Sequence, residues 1–513
     1  MLRNIARLGV NNYCAAVNGT KIFSASYSEK SSGNKDDDEN YWKQLPEPEN
    51  PVSRTVELFR RQTRDLKQKF MFWKEPGTFQ DEWVIDSTTY PYHADIVIIG
   101  GAAIGSSIAY WIKKIAGEGL SVLVIEKDPS YNKASTVLSV GGLRQQFSME
   151  ENIEMSLFSA DFIRNAQEHL GIEGEQPIDV QFRPYGYLYL ASEAGAQQLT
   201  ENSKLQNKLG ARNILLTAKQ INERFPWINT NGIELGCLGM EKEGWFDPWA
   251  LLNGFKRKAI QLGAQYHTGE VKSFTFHNTS NIIYEGKGPE TWTGTNHIIV
   301  KSPSGEKQVI EFAICVIAAG AESGNIARLA KIGNGPGVLS VPLPVVPRKR
   351  FVYCYDAPDG PALNTPMVID PTGAYFRREG LAGTFLAGKS PDNFDEEPSI
   401  DNLDVDDDYF NNKIWPIIAN RVPSFENIKL KSSWAGYYDY NYFDENGIIG
   451  QHPLQDNVMF ATGFSGHGIQ QAPAVGRAVM ERILHCDYRT IDLTRLGFDR
   501  FITLEKMKEK NII

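Results

Sequence analysis

Two glycine clusters near opposite ends of this chain are built to bring main-chain N–H groups close to a bound group. The first lies in His93-Ala-Asp-Ile-Val-Ile-Ile-Gly-Gly-Ala-Ala-Ile-Gly105, where Gly100, Gly101 and Gly105 follow a run of β-branched residues. Glycines between a buried strand and a helix leave unpaired N–H groups and the positive helix end converging on one point, which suits a pyrophosphate. Ala102 and Ile104 complete this turn. Ala102 takes the middle position of the G-x-G-x-x-G fingerprint, where glycine ordinarily lets the backbone approach the phosphates. Its methyl predicts phosphates held slightly away or bound more weakly, with the turn intact. Glu126, followed by Lys127, ends the next apolar run and is placed to accept from ribose hydroxyls. Further on, Ser135, Thr136 and Ser139 offer hydroxyls, and Gly141-Gly142 permits close approach to a flat cofactor. The second cluster, Gly463-Phe-Ser-Gly-His-Gly468, opens another helix and can hold the other end of the same molecule.

These residues need a framework of alternating strands and helices. Residues 95–99 read as a buried parallel strand, and 106–114 as a helix with Ile104, Ile108, Trp111 and Ile112 on one face. Residues 121–126 read as the second strand. An α/β, Rossmann-like dinucleotide-binding domain follows from that order. Residues 338–388 differ in character: Pro342, Pro344 and Pro347 precede short strands at 350–355, 367–370, 374–378 and 384–387, a meander predicting a second, antiparallel sheet. The expected division is a discontinuous cofactor domain (94–180, 245–337 and 435–490), a substrate or cap domain (181–244 and 338–434) and a carboxyl-terminal tail (491–513).

At 513 residues, 42% apolar and 22% charged, the chain has ample material for two or three domains, and no apolar run reaches membrane-spanning length. A formal charge of −9 argues against general nucleic-acid binding. Five dispersed cysteines and eight scattered histidines predict neither a disulfide framework nor a metal site. Residues 1–35 carry Arg3, Arg7, Lys21, Lys30 and Lys35 against one acid, Glu29, the composition of a mitochondrial transit peptide. The extension over 36–93 contains a basic amphipathic helix, with Arg60, Arg61, Arg64, Lys67 and Lys69 within 54–69. That helix either meets an anionic inner membrane or a partner, or packs on the main domain with a solvated basic face. Residues 390–410 hold nine acids and no basic residue, which reads as a solvated loop plus the acid-rich first turn of a helix through Ile418.

Taken together, Gly100–Gly105, Asp247-Pro248 at a helix start, Ala318-Ala-Gly320 and Gly463-Phe-Ser-Gly-His-Gly468 resemble the FAD-dependent D-amino-acid oxidase/sarcosine oxidase family from about residue 94 to 501. The resemblance implies non-covalent FAD, with Gly100–Gly105 and Glu126 on its ADP half and Val271, Ala319 and Gly320 near the adenine. Residues 135–144 and Gly463, Ser465, Gly466, His467, Gly468 and Ile469 would border the isoalloxazine, under a roof formed by the meander. Backbone donors from 466–468 would stabilise reduced flavin. Arg144 stands where members of the family hold a substrate carboxylate, and Gln470 where sarcosine-oxidase-like members have a lysine. His467 is either catalytic or a shaper of its loop. Ala134-Ser-Thr-Val-Leu-Ser-Val-Gly-Gly142 and Trp434-Ala-Gly-Tyr-Tyr-Asp-Tyr-Asn441 are similar to a mitochondrial branch of the family working in respiratory complex I assembly. That likeness implies a matrix protein, peripheral on the inner membrane, whose partners are complex I subunits or assembly intermediates. The functional expectation is an FAD-binding, oxidoreductase-like assembly protein, or an active flavin-dependent dehydrogenase or oxidase of a small amine or N-methyl amino acid.

Overall fold

The computed structural model describes residues 90–279, 292–393 and 396–511. The expected transit segment and basic helix lie outside these residues. Strand β1 (His93–Ile99) is the centre of the first sheet because its apolar run is covered on both faces; Val97 and Ile98 are fully buried. It pairs in parallel with β2 (Val122–Glu126) on one side and, across the chain, with β11 (Lys307–Ile317) on the other. The sheet continues in parallel to β8 (Gln265–Thr268) beyond β2 and to β18 (Val458–Thr462) beyond β11, with β17 (Ile448–Gln451) antiparallel at the edge. An antiparallel pair, β9 (Glu270–Thr279) and β10 (Trp292–Lys301), extends from β11.

Helix α1 (Ala103–Ala116) crosses this sheet and packs on α5 (Gly468–His485), so the two glycine clusters open two helices in contact. The approach is close because of Gly476: a Cβ there would lie 2.2 Å from Ser107 Oγ and 2.6 Å from the Ser107 carbonyl carbon. Trp111, fully buried, donates its indole N–H to the Pro473 carbonyl at 2.9 Å and ties the pair together. Helices α2 (Glu150–Arg164), α3 (Glu193–Lys208) and α4 (Pro248–Gln261) complete the main helical layers. The Asp247 carboxylate caps α4 by accepting from Trp249 and Ala250 N–H, with Pro248 in the first turn.

The second sheet runs β16 (Lys429–Asn441), β12 (Val345–Asp356), β15 (Thr384–Gly388), β14 (Tyr375–Glu379), β13 (Met367–Ile369), β4 (Tyr187–Ala191), β6 (Leu235–Gly239) and β5 (Asn213–Thr217). It is antiparallel except for one junction, β13 with β4, which pair in parallel from Met367 opposite Tyr187. No hairpin links those two strands in sequence, so nothing local dictates their direction. A two-stranded ribbon, β3 (Gly142–Leu143) with β7 (Gly244–Trp245), lies apart from both sheets.

Three expectations are corrected here. The boundary expected at 435 falls inside β16, which registers with β12 from Asn441–Val345 to Lys429–Asp356 and lies wholly in the second sheet. Residues 491–503 are no loose tail: Leu493, Leu496, Phe498 and Phe501 are buried, and Phe498 stacks on Phe460 of β18 at 5.5 Å. Residues 505–511 run without regular structure. The acidic stretch is anchored rather than merely solvated, since Glu397 pairs with Arg348 at 2.9 Å and Arg350 at 2.7 Å. Those arginines are accordingly largely buried. Among the described residues no helix is long and apolar enough to cross a membrane.

Candidate active site

At the nucleotide end, close backbone contacts dictate the glycines. A Cβ on Gly105 would sit 1.9 Å from the Gly100 carbonyl oxygen, and one on Gly100, whose φ is +100°, 2.3 Å from that of Ala318. Ala102 has φ −70°, which any L-residue adopts, so the alanine in the fingerprint brings no backbone strain. Helix α1 starts there without a side-chain N-cap bond and with no acid in its first turn. Thr136 Oγ1 accepts one N–H, that of Ala103, at 3.3 Å, and the helix end is otherwise open to an anion.

Glu126 lies alongside. Its Oε2 accepts from Gly101 N–H at 2.7 Å and its Oε1 from Asp128 N–H at 2.9 Å. A carboxylate has about four lone-pair sites, so acceptor capacity remains for ribose hydroxyls. Burial raises its pKa, partly offset by these bonds. Other predicted contacts fall differently. Lys127 is exposed and pairs with Glu270 at 3.1 Å, and the Val271 side chain is buried in the sheet core, opposite Val300 of β10. Ala319 and Gly320 follow β11; space beside Gly320 is open, with nothing within 4 Å of a Cβ placed there.

At the other end a cavity of about 60 Å³ lies between the second sheet and the segments that follow β2 and β18. Ser139, Val140, Gly142 and Arg144 enter from the segment after β2, Tyr187 from β4, Met367 from β13, Tyr375 from β14 and Tyr438 from β16. Ser465, Gly466, His467, Ile469 and Gln470 close it. Ser135 and Gly141 stand just outside; the Ser135 hydroxyl donates to the Tyr437 carbonyl at 2.5 Å, and Gly141 O accepts from Phe246 N–H at 2.9 Å.

The 463–468 loop is pinned to β16. Asp439 Oδ2 accepts from Gly463 N–H at 2.8 Å and Phe464 N–H at 3.1 Å, and the Asp439 carbonyl accepts from Ser465 N–H at 3.2 Å. With those donors occupied internally, the donor end facing a ligand is the start of α5. There His467 is the N-cap residue with no side-chain cap bond, and the first turn holds no acid. The expected donors near 466–468 therefore narrow to the helix start.

Burial lifts the Asp439 pKa to about 6 from 3.8, against the pull of its N–H partners. A carboxyl that holds its proton more tightly when folded contributes stability below pH 4 that is lost as pH rises through about 6. For this half-buried group the loss is about 1–2 kcal/mol. Asp439→Asn should therefore flatten the fall in thermal midpoint between pH 4 and 7; an unchanged slope would show that Asp439 is not its source.

Arg144 is 4% exposed. Its Nη1 donates to the Gln146 carbonyl and its Nη2 to the Asn511 carbonyl, both at 2.7 Å, while the guanidinium lies 4.1 Å over the Phe147 ring. No carboxylate pairs with it among the described residues. Gln470, expected to mark the loss of a charge, instead makes a bond of its own. Its Oε1 accepts from Arg144 N–H at 2.9 Å, joining α5 to the arginine's main chain. Lysine, with no acceptor, cannot make that bond. His467 is buried, its pKa pushed down to about 3 by desolvation and the Arg144 charge, and its Nε2 has no partner. A neutral imidazole of such low basicity is a poor general base near pH 7, and His467 lines the cavity with that nitrogen unpartnered. Nearby, the Glu243 carboxylate accepts from Gln145 N–H at 2.7 Å and Gln146 Nε2 at 2.9 Å, and burial raises its pKa to about 7 against the pull of these bonds and of the Arg144 charge.

An open helix end beside the Glu126 carboxylate, a second open helix end on a cavity, and the orphaned His467 Nε2 fit a flavin dinucleotide laid from Gly100 to Gly468. No cysteine lines the cavity.

Residues 95–482 match the family described as DAO, FAD dependent oxidoreductase, and the chain belongs to that family of FAD-dependent oxidoreductases. Its cofactor is FAD. The protein named FAD-dependent oxidoreductase domain-containing protein 1 in Xenopus laevis is 51% identical over 428 residues, covering 82% of this chain and 85% of that one. The Drosophila melanogaster homolog of that protein is 44% identical over 511 residues, covering 95% and 96%. Among solved structures, L-proline dehydrogenase from P. horikoshii has a TM-score of 0.66 at 26% identity, covering 81% of this chain and 100% of that chain. Glycine oxidase from Geobacillus kaustophilus, TM-score 0.62 at 20% identity over 79% and 98%, shares the fold.

The second-sheet residues Tyr187, Met367 and Tyr375 line the site without having been legible in the sequence. Tyr187-Leu-Tyr-Leu190 shows the alternation of a strand, but alternation does not say which face meets the flavin.

Proposed function

We propose that this protein oxidises a C–N bond of a small amine that also carries a carboxylate. The observation that carries the reading is Arg144, a buried guanidinium on the cavity wall with no carboxylate partner among the described residues. Burying such a charge is costly unless a partner arrives, and a planar carboxylate matches its fork geometry. Tyr187, Tyr375 and Tyr438, with Met367, then wall the amine-bearing carbon with aromatic rings and a thioether. FAD, when bound, supplies the two-electron acceptor. The chain's own residues have little proton chemistry to perform: they hold the carboxylate, orient the C–H bond and direct the open end of α5 toward developing negative charge. The product imine hydrolyses in water.

Titrating the oxidised holoprotein with pyrrole-2-carboxylate tests the reading. The carboxylate should perturb the flavin absorbance, and pyrrole-2-carboxamide should do so at least tenfold more weakly. Equal affinities would remove the anion-binding role.

A second part of the proposal places the protein in mitochondria as a participant in complex I assembly. Support comes from the basic, acid-poor residues 1–35, the basic run at 54–69 and the likeness of 134–142 and 434–441 to the mitochondrial branch. Co-migration of the tagged protein with complex I intermediates in native gels of mitochondrial membranes is the check; migration apart from every such intermediate would count against it.

A further inference from the structure

Residues 505–511 lie beyond the 95–482 family match and have no regular structure, yet they are firmly tied down. Met507 N–H donates to Asp444 Oδ2 at 3.1 Å, and the Met507 carbonyl accepts from Asn446 Nδ2 at 3.0 Å. Glu509 is 1% exposed, and its carboxylate accepts from four donors: Ser148 N–H, Ser148 Oγ, Asn152 Nδ2 and Asn511 N–H, at 2.6–3.0 Å. Lys510 N–H donates to Ser148 Oγ at 2.9 Å, and Asn511 Nδ2 to the Gln146 carbonyl at 3.2 Å. Residues 146–152, which receive the contacts of 509–511, begin two positions after Arg144. The path then ends with the Asn511 carbonyl accepting from Arg144 Nη2 at 2.7 Å.

We infer that this carboxyl-terminal strap is a positioning element for the substrate site: Glu509 locks it onto 148–152 so that the Asn511 carbonyl holds the Arg144 guanidinium toward the cavity. The inference rests on the functional reading of Arg144 given above. Its physical basis is the donor geometry of arginine. Of five N–H groups, one is held by the Gln146 carbonyl and one by the Asn511 carbonyl, on two different nitrogens, with the plane laid on Phe147. Two fixed acceptors and a stacked face leave a rigid fork whose remaining donors serve a carboxylate without an ordering cost. Take the strap away and one arm is free, so the guanidinium regains rotamers that point elsewhere. Glu509 is the anchor because its partners are all donors. Glu509→Gln would set an amide N–H₂ against some of them and release the strap while preserving volume.

The test uses flavin-loaded protein and pyrrole-2-carboxylate as probe, read by the flavin absorbance shift. Two variants are compared with the full chain: one ending at Lys508, which keeps the Met507 contacts, and Glu509→Gln. Both should keep their FAD content and bind the probe at least tenfold more weakly, and Glu509→Gln should add nothing in an Arg144→Ala background. Undiminished affinity in both variants would overturn the strap. So would an equal loss from Glu509→Gln with or without Arg144, which would indicate general damage. Failure of the underlying reading has its own signature: Arg144→Ala in the intact chain binding the probe as tightly as the unaltered protein, which overturns both.

Discussion

Gly105→Ala should yield a protein that purifies without FAD. The added methyl would lie 1.9 Å from the Gly100 oxygen and 3.0 Å from its carbonyl carbon, both main-chain atoms that no side-chain rotamer can move aside. Relief requires displacing Gly100, itself at φ +100° and seated against the Ala318 carbonyl, so the whole turn from β1 to α1 must open. A displacement of that kind belongs with the rare substitutions costing more than about 4 kcal/mol. It also moves the N–H groups that receive the pyrophosphate. The check is the ratio of flavin to protein absorbance after purification in excess FAD. Ala102→Gly is the internal control: position 102 has φ −70° and asks nothing special of its residue, so that variant should retain FAD. A Gly105→Ala protein with full flavin content would refute the assignment of this turn.

Arg144→Ala should weaken the carboxylate probe about thirtyfold or more while leaving FAD bound. Removing one partner of a buried, hydrogen-bonded charge pair costs about 2–5 kcal/mol, and here it also strands the Gln146 and Asn511 carbonyls. Arg144→Lys should recover only part of the affinity. An ammonium is a point charge that neither stacks flat on Phe147 nor offers a planar fork. Full recovery by lysine would mean that charge alone matters at this position.

What the sequence disclosed is what is local. Gly100, Gly105 and Glu126 were legible because strand, turn, helix and second strand follow one another within about thirty residues, with an apolar period at each step. The Gly463–Gly468 turn was legible for the same reason. The second-sheet wall was not legible residue by residue. Tyr187 and Tyr375 come from strands whose adjacency depends on a sheet assembled from distant segments, including the one parallel junction that no hairpin specifies. Arg348 and Arg350 find their partner, Glu397, in the acid-rich run, 47 residues from Arg350, a pairing that no local pattern announces. Gln470 looked like a missing charge. Only the fold shows that its oxygen holds the Arg144 main chain, a bond between residues 326 apart.

Whether the site oxidises a carboxylated amine is decided by anaerobic mixing of the oxidised holoprotein with small amino acids such as N-methylglycine and L-proline. At least one of them should bleach the flavin, with the corresponding imine or its hydrolysis product formed in equal amount. Its decarboxylated counterpart should leave the flavin oxidised. Reduction by the amine without its carboxylate, and not by the amino acid, would contradict a site built around Arg144.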